Sequence, residues 1–229
     1  MGTLILMRHG QSQWNEQNLF TGWVDVPLSS KGIDEAFDGG ERISHLSFDR
    51  IYTSTLVRAQ MTVFLAMSRS KMNPTLIVKH LEGKEAAWEK IYNEAIEKKS
   101  VPVFFASQLN ERMYGALQGQ NKAELMEKFG KEKVQIWRRS FAVAPPEGES
   151  LKMTAERTLP YFDKEIFPWI EKGQTVLIGA HGNSLRSIIM KIEGLSEDEV
   201  VHLELLCGEP LCYEWKSGKW QKKSISTME

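Results

Sequence analysis

The segment Leu4-Ile5-Leu6-Met7-Arg8-His9-Gly10 decides the fold class of this 229-residue chain. Its first four residues are all apolar, which is typical of a central β-strand covered on both faces. An arginine, a histidine and a glycine follow directly. In open α/β sheets, ligands bind at the carboxyl ends of the parallel strands. We therefore predict a buried first strand whose end carries the chemistry of the protein.

A second stretch, near the end of the chain, repeats this pattern. Residues 175–180 predict another buried strand, and His181-Gly182-Asn183-Ser184 follows where a helix that ends at Gly194 should begin. The free amides and the dipole of a helix N-terminus suit an anion. Either histidine alone could be a structural residue held by local hydrogen bonds. Because both histidine–glycine turns end a buried strand, we predict that the two imidazoles meet at one edge of the sheet.

Strand and helix signals alternate along the rest of the chain. Further strands are predicted at 49–53 and, as a hairpin, at 211–220, and helices are predicted after the capping residues Ser29, Asn121 and Ser196. This alternation predicts an α/β three-layer sandwich, in which helices flank a mostly parallel central sheet.

One part of the chain is expected to depart from this alternation. From about residue 82 to residue 140 the strand signal weakens, so we predict a helical insertion between two parts of the sheet. Some of its apolar residues recur at helical spacing, which is typical of a packing face. They are Trp88, Ile91, Tyr92, Ala95 and Ile96. No flexible linker is evident, so residues 1–229 are predicted to form a single domain.

The composition limits the classes of function. The formal net charge is −1 and 26% of the residues are charged, so no global field would attract nucleic acid or an anionic membrane. The first apolar run is too short for a signal peptide or a membrane span, and the two cysteines, Cys207 and Cys212, are too few for a disulfide framework. We expect a cytoplasmic protein without a nucleic-acid or membrane partner, in which any anion site is local.

Two groups of basic residues could supply a local anion site. Arg58 falls near the first turn of a predicted helix, where a cation opposes the helix dipole. A bound anion would explain that placement, and a solvated arginine is the alternative. Arg138-Arg139 is a weaker signal by itself, because paired basic residues usually face water.

Six motifs stand in an order that resembles one known family. They are residues 6–15, Phe20-Thr21-Gly22-Trp23, residues 110–115, residues 117–122, Trp137-Arg138-Arg139 and residues 181–186. Together they resemble the histidine phosphatase superfamily, and specifically its phosphoglycerate mutase branch. The resemblance runs from Leu4 to about Trp215. The combination is highly specific, whereas an arginine-histidine-glycine motif alone would reach only the superfamily.

The resemblance implies an isomerase of the intramolecular phosphotransferase type, which interconverts 3-phosphoglycerate and 2-phosphoglycerate in glycolysis and gluconeogenesis. A phosphohistidine gives its group to the substrate, and the resulting 2,3-bisphosphoglycerate returns the other phosphate. The bisphosphate is also expected as the priming cofactor. No metal is expected, because arginines and histidines would balance the phosphate charge. Phosphoglycerates are the implied small-molecule partners, and a homodimer or homotetramer is the implied assembly.

The resemblance also implies a role for individual residues. His9 would be the nucleophile, with Arg8, Arg58 and His181 around the transferring phosphoryl group and Glu111 as the general acid and base. Nearby arginines should lower the pKa of Glu111 while a phosphate should raise it. The other implied substrate-binding residues are Gly10, Gln11, Ser12, Gln13, Trp14, Asn15, Thr21, Gly22, Arg112, Met113, Tyr114, Lys122, Arg138, Arg139, Gly182 and Asn183. Of these, Trp14 is expected mainly to pack its loop.

Some segments depart from the family pattern. Residues 144–150 make a short connection where many members have a longer excursion, and few residues follow Trp220. Leu206-Cys207-Gly208 replaces the usual proline-threonine-glycine. An open site admits water, which competes for a phosphohistidine. We therefore expect some bisphosphatase side activity.

Two other functions remain compatible with the sequence. One is a phosphatase of the same superfamily that acts on a small phosphorylated metabolite. The other is a catalytically idle binding protein with the same fold. Glu111-Arg112 and Arg138-Arg139 favour the mutase, because they match its substrate-orienting motifs.

Overall fold

The central layer of the protein is a mixed β-sheet. The computed structural model describes residues 1–80 and 84–227, and within them seven strands form this sheet. They are β1 (Gly2–Arg8), β2 (Arg50–Thr53), β3 (Thr75–Val78), β4 (Ser100–Phe105), β5 (Thr175–Ala180), β6 (Pro210–Lys216) and β7 (Lys219–Lys223). Their order is β3-β4-β2-β5-β1-β6-β7, and the first five are parallel. The β6–β7 hairpin adds two antiparallel strands at one edge, as predicted.

Helices connect and cover these strands. They are α1 (Gln13–Glu16), α2 (Ser30–Arg42), α3 (Val57–Met67), α4 (Glu94–Glu97), α5 (Lys122–Phe129), α6 (Lys131–Arg139), α7 (Leu151–Tyr161), α8 (Phe167–Glu171), α9 (Gly182–Glu193) and α10 (Glu197–His202). A π-helical turn, Phe162–Ile166, joins α7 to α8, and 3₁₀ turns span Lys84–Glu89, Ser107–Leu109, Gly115–Leu117 and Ile225–Thr227. Across the described residues, no helix is both long and apolar enough to cross a membrane.

The two faces of the sheet carry separate apolar clusters. Side chains alternate along a strand, so Leu4 and Leu6 of β1 pack with Ile170 and Ile188 on the face of α7, α8 and α9. Ile5 and Met7 of β1 lie in the other cluster, on the face covered by α2 and α3. Burying one such side chain stabilises the fold by roughly 1.5–3 kcal/mol. The predicted three-layer α/β sandwich is confirmed.

Local capping signals place most helix ends as predicted. The side chain of Ser29 accepts from the amide of Gly32 at the start of α2, and Ser196 forms a capping box with Glu199 at α10. Gly194 ends α9 in the left-handed conformation, with φ of 67°. The helix α9 begins at Gly182, within the segment 181–184 where its start was predicted.

The helical insertion predicted for residues 82–140 is only partly correct. Residues 82 and 83 lie outside the described residues, and α5 and α6 are helical as expected. However, β4 lies in the middle of the predicted insertion and pairs with both β2 and β3. The strand signal is weak because Pro102 cannot donate to a ladder. Pro102 stands opposite Ile77 of the edge strand β3, where this lost donor is tolerated.

The apolar stripe in this region does not form a packing face, so that prediction was wrong. A 3₁₀ turn ends at Glu89 and the short helix α4 begins only at Glu94, so no continuous helix aligns the stripe. Trp88 is 72% exposed and Tyr92 is 84% exposed. The side chain of Asn93 caps α4 and interrupts the helical period that the spacing suggested.

Candidate active site

A polar cavity of about 170 Å³ lies at the carboxyl ends of the parallel strands. It is lined by Arg8, His9, Asn15, Leu19, Phe20, Thr21, Gly22, Arg58, Glu111, Tyr114, Lys122, Arg138, Arg139, Gly182, Asn183 and Arg186. The parallel pairing of β1 with β5 explains its position. Arg8 stands opposite Ala180, and the amide of His9 donates to the carbonyl of Ala180 at 2.9 Å. The next residues on the two strands, His9 and His181, therefore leave the sheet side by side.

The two buried imidazoles meet as predicted. Their ring centroids are 4.9 Å apart, with an angle of 60° between the planes. Nδ1 of His9 donates to the carbonyl oxygen of Gly10 at 2.6 Å, which places the lone pair on Nε2. Burial, followed by the charges of Arg58 and Arg8, holds the pKa of His9 well below its ordinary value, although the bond to Gly10 raises it. His9 is therefore a neutral imidazole near neutral pH.

His181 is held from the side of β2. Its Nε2 lies 2.7 Å from Oγ of Ser54, which also accepts a hydrogen bond from the amide of Leu56. Nδ1 of His181 is buried and has no partner among the described residues. Burial and then the charge of Arg58 hold the pKa of His181 well below its ordinary value. Ser54 was not predicted as a site residue, because it lies outside the motifs around the two histidines.

The two arginines beside the histidines are fixed by backbone carbonyls. Arg58 is 1% exposed, and its guanidinium donates to the carbonyls of Gly22 at 2.6 Å and Val24 at 3.0 Å. Burial lowers the pKa of Arg58 to about 10, so the group stays charged at neutral pH. Arg8 donates to the carbonyl of Leu205 at 2.7 Å. Nε of Arg8, Arg58 and Arg112 is buried without a partner in the described part of the chain. Of these three arginines, only Arg8 and Arg58 line the cavity, where an anion could accept from them.

Glu111 lies at the same cavity, and three donors fix its carboxylate. Oε1 accepts from the amide of Arg112 at 2.7 Å and from the backbone and side-chain amides of Asn183 at 3.2 and 2.8 Å. Burial raises the pKa of Glu111, but these bonds, together with the charges of Arg58 and Arg8, outweigh it and lower the pKa overall. The net shift of the Glu111 pKa, which could not be predicted from the sequence, is therefore downward and makes the group a carboxylate in the unliganded protein.

Further basic and aromatic residues line the cavity, and we call them the basic rim. Lys122 donates through Nζ to the carbonyl of Leu19 at 2.8 Å, and Arg139 donates to the carbonyl of Val201 at 3.2 Å. Burial, then the charge of Arg138, lowers the pKa of Lys122 to about 8. With Arg138 and Tyr114, this rim offers a second anion site.

Several predicted site residues do not line the cavity. They are Gly10, Gln11, Ser12, Gln13, Trp14, Arg112, Met113 and His181, and the ring of His181 contacts that of His9, which does line the cavity. Ser12 caps α1 instead. Arg112 is 1% exposed and donates to the carbonyls of Trp137 and Arg138, both at 2.9 Å. It therefore holds the end of α6 that carries Arg138 and does not face the cavity.

Three residues that line the cavity had no predicted role: Leu19, Phe20 and Arg186. Arg186 donates through Nε to the carbonyl of Leu203 at 2.7 Å, and burial lowers its pKa to about 10. A signal for it was present, because Arg186 follows Gly182 by four residues and so lies on the same face of α9.

The cavity suits an oxyanion better than a metal ion. The possible ligand atoms of His9, Glu111 and His181 all lie within 4.8 Å of one another, so they could in principle share an ion. The guanidinium groups of Arg8 and Arg58 line the same cavity and repel a cation there. The same charges attract a phosphoryl group.

Comparisons with known proteins agree with this geometry. The chain matches the family described as "Histidine phosphatase superfamily (branch 1)" over residues 4–100 and 90–227. It is 53% identical to the 2,3-bisphosphoglycerate-dependent phosphoglycerate mutase of Chlamydia muridarum over 99% of each chain. It is also 53% identical to the corresponding protein of Protochlamydia amoebophila, over 97% of this chain and 99% of that one. A mycobacterial glucosyl-3-phosphoglycerate phosphatase has the same fold, with a TM-score of 0.74, 20% identity and 98% coverage of both chains.

Proposed function

This chain belongs to the histidine phosphatase superfamily, among its 2,3-bisphosphoglycerate-dependent phosphoglycerate mutases, and we propose that it interconverts 3-phosphoglycerate and 2-phosphoglycerate. The reaction is a step of glycolysis. The observation that carries the proposal is the pair of buried, neutral histidines beside two arginines whose Nε donors lack partners. That arrangement combines a nucleophile with a site for a phosphoryl group.

His9 acts as the nucleophile. Its Nδ1–H is fixed on the carbonyl of Gly10, so the Nε2 lone pair attacks the phosphorus atom. The N–P bond forms as the bond from phosphorus to the substrate oxygen breaks. A depressed pKa serves this role, because the imidazole needs no proton removed before it attacks.

Arg8, Arg58 and His181 stabilise the transferring group. We assign the hydroxyl proton of Ser54 to Nε2 of His181, because the Ser54 oxygen already accepts from Leu56. The ring then carries its own proton on Nδ1 and can donate a hydrogen bond from it to a phosphoryl oxygen. The two guanidinium groups balance charge on the other equatorial oxygens.

Glu111 transfers the proton in both half-reactions. Its lowered pKa makes it a carboxylate in the free enzyme, and this is the form that removes a proton from the attacking substrate hydroxyl. The protonated carboxyl then returns the proton to the other oxygen of 2,3-bisphosphoglycerate, as its phosphate moves to His9. The bisphosphate is thus the intermediate and also the primer that phosphorylates His9.

The basic rim of the cavity holds the remaining charges of the substrate. Lys122, Arg138 and Arg139 bind the second phosphate and the carboxylate, and Asn15 and Thr21 add neutral hydrogen bonds to the glycerate. Arg112 acts indirectly, through the end of α6.

A coupled assay tests this function. The conversion of 3-phosphoglycerate is followed through enolase, with and without 2,3-bisphosphoglycerate and with and without a chelator in the mutase step. We expect turnover that depends on the primer and is insensitive to the chelator. No turnover in the presence of the primer would exclude the mutase function, and inhibition by the chelator would contradict a metal-free mechanism.

A further inference from the structure

The guanidinium group of Arg157, in the middle of α7, donates several hydrogen bonds to the backbone of one short segment. Nη1 donates to the carbonyl of Gln108 at 2.8 Å, and Nη2 donates to the carbonyls of Asn110 at 3.0 Å and Glu111 at 2.8 Å. A longer contact, of 3.4 Å, reaches the carbonyl of Ser107. Four carbonyls between residues 107 and 111 therefore converge on one guanidinium group.

Glu149 completes this arrangement. Its carboxylate forms a two-pronged ion pair with Arg157, from Nε to Oε1 at 3.0 Å and from Nη2 to Oε2 at 2.9 Å. Oε2 also accepts from the backbone amide of Met113 at 3.0 Å. The pair thus binds the carbonyl of Glu111 and the amide of Met113, one on each side of Arg112. The two side chains are 20% and 17% exposed, so solvent screens this ion pair only in part.

Arg157 and Glu149 contact the backbone of the Glu111 segment from outside the cavity that Glu111 lines. Neither residue lines that cavity within the described part of the chain. The carbonyl of Glu111 accepts a second hydrogen bond, from the indole of Trp23, and the guanidinium carbon of Arg157 lies 5.5 Å from the centre of that ring. The backbone of the proton-transfer residue is thus held from two directions, while its carboxylate points to Asn183.

We propose that the Arg157–Glu149 pair positions Glu111 for proton transfer, through the backbone of residues 107–113. The inference rests on the proposed function, in which Glu111 is the general acid and base. The segment has little regular structure of its own, since it holds only the 3₁₀ turn Ser107–Leu109. Only a forked guanidinium group can bind these carbonyls and a carboxylate together; a lysine at 157 would keep the charge and lose most of the bonds.

A double-mutant cycle separates positioning from simple stability. Misplacing a catalytic group by about 1 Å can cost roughly 100-fold in rate. We therefore expect Arg157→Lys to lower kcat by roughly 10- to 100-fold, with KM changed by less than about 3-fold. In a Glu111→Gln background, the same substitution should lower kcat no further, because the group that it displaces is already absent. A multiplicative loss in that background would overturn the inference, and so would an unchanged kcat in Arg157→Lys itself.

A second readout is the pH profile of kcat/KM. Loosening the segment weakens the hydrogen bonds that keep the pKa of Glu111 low, so the acid limb should move to higher pH in Arg157→Lys and in Glu149→Gln. Glu149→Gln keeps the side-chain shape, and it is the variant to measure if Arg157→Lys does not fold. An unmoved acid limb in both variants would count against positioning.

The matched control is Arg42→Lys, which alters the exposed pair of Arg42 with Glu209, 3.4 Å apart, and should behave like the parent. If Arg42→Lys lost as much kcat as Arg157→Lys, the loss would be unspecific and the inference would fail. Failure of the proposed function would be distinct, because turnover would then be absent in the parent protein or undiminished by Glu111→Gln.

Discussion

At the scale of single residues, burial sets the chemistry of this site. His9 and His181 are 3% and 0% exposed, and two guanidinium charges act on both rings. Burial disfavours the imidazolium ion, and the nearby cations disfavour it further. Both rings are therefore neutral at the pH where phosphoglycerates are fully charged. In the proposed mechanism, the same guanidinium groups bind the phosphate and keep the nucleophile neutral.

Replacing the nucleophile is the most direct test at this scale. His9→Ala should abolish turnover, together with the acid-labile, alkali-stable phosphoryl label that 2,3-bisphosphoglycerate leaves on the protein. The measurement pairs the enolase-coupled rate with the label retained after alkaline and acidic quenching. His202→Ala, at an exposed histidine, should keep both. Retained labelling in His9→Ala would move the phosphohistidine to another residue.

Lys122 gives the site a pH dependence on the alkaline side. Its pKa is lowered to about 8, so the cation is present below that pH and is lost as the pH rises through it. Because the charged form is the one proposed to bind the substrate anion, kcat/KM should fall above about pH 8 in the parent protein. Lys122→Arg should keep its charge and lack this decline. An identical alkaline limb in the two proteins would assign the titration to another group.

At the scale of elements, the site depends on a close approach between α2 and the loop that follows β1. Gly32 lies in the first turn of α2, and a Cβ there would come within 2.0 Å of the carbonyl oxygen of Gln11. A Cβ at Gly10 would come within 2.2 Å of the carbonyl oxygen of Gly32. Backbone thus packs on backbone, directly behind His9. The two glycines allow α2 to support the nucleophile loop without an intervening side chain.

Gly32→Ala should therefore weaken both the fold and the activity. Alanine gains about 1 kcal/mol of helix propensity, but overpacking against rigid backbone typically costs about 1–3 kcal/mol, so the clash should win. We expect a lower thermal midpoint and a lower kcat, measured by calorimetry and by the coupled assay. Ser30→Ala, at an exposed position of the same turn, should change neither. A more stable Gly32→Ala would show that the loop can retreat without cost.

At the scale of the whole molecule, five distant parts of the chain build one site. The ends of β1 and β5 bring the two histidines, α3 brings Arg58, the segment after β4 brings Glu111, and α6 brings Arg138 and Arg139. The short connection 144–150 packs beside this cavity. The amide of Ala116 donates to the carbonyl of Pro146 at 3.0 Å, and the amide of Glu149 donates to that of Met113 at 2.8 Å. No residue of 144–150 is among the described residues that line the cavity.

This arrangement predicts a bisphosphatase side activity. Since the short connection is tied to residues 113–116 and does not extend over the cavity, water should reach the phosphohistidine and compete with the substrate hydroxyl. Release of inorganic phosphate from 2,3-bisphosphoglycerate should be measurable and far slower than mutase turnover. His9→Ala should remove both activities. No phosphate release above that of His9→Ala would show that the cavity excludes water by another means.

Local patterns in the sequence were enough to predict much of the fold and of the candidate site. The apolar run before Arg8 predicted the central strand, and the caps Ser29 and Ser196 placed two helices. The motifs around His9, Glu111 and His181 indicated the family and most of the residues that line the cavity. These signals succeed because each one depends on neighbours within a few positions along the chain.

The features that could not be predicted from the sequence depend on long-range contacts. The hydrogen bond from Ser54 to His181 joins residues 127 positions apart, and Arg157 reaches carbonyls 46 to 50 positions away. The strand β4 forms despite Pro102, because β2 and the edge strand β3 complete its ladders. The sign of the pKa shift at Glu111 depends on opposing effects of burial, hydrogen bonds and charge. Each effect varies with distance in space, which only the tertiary structure sets.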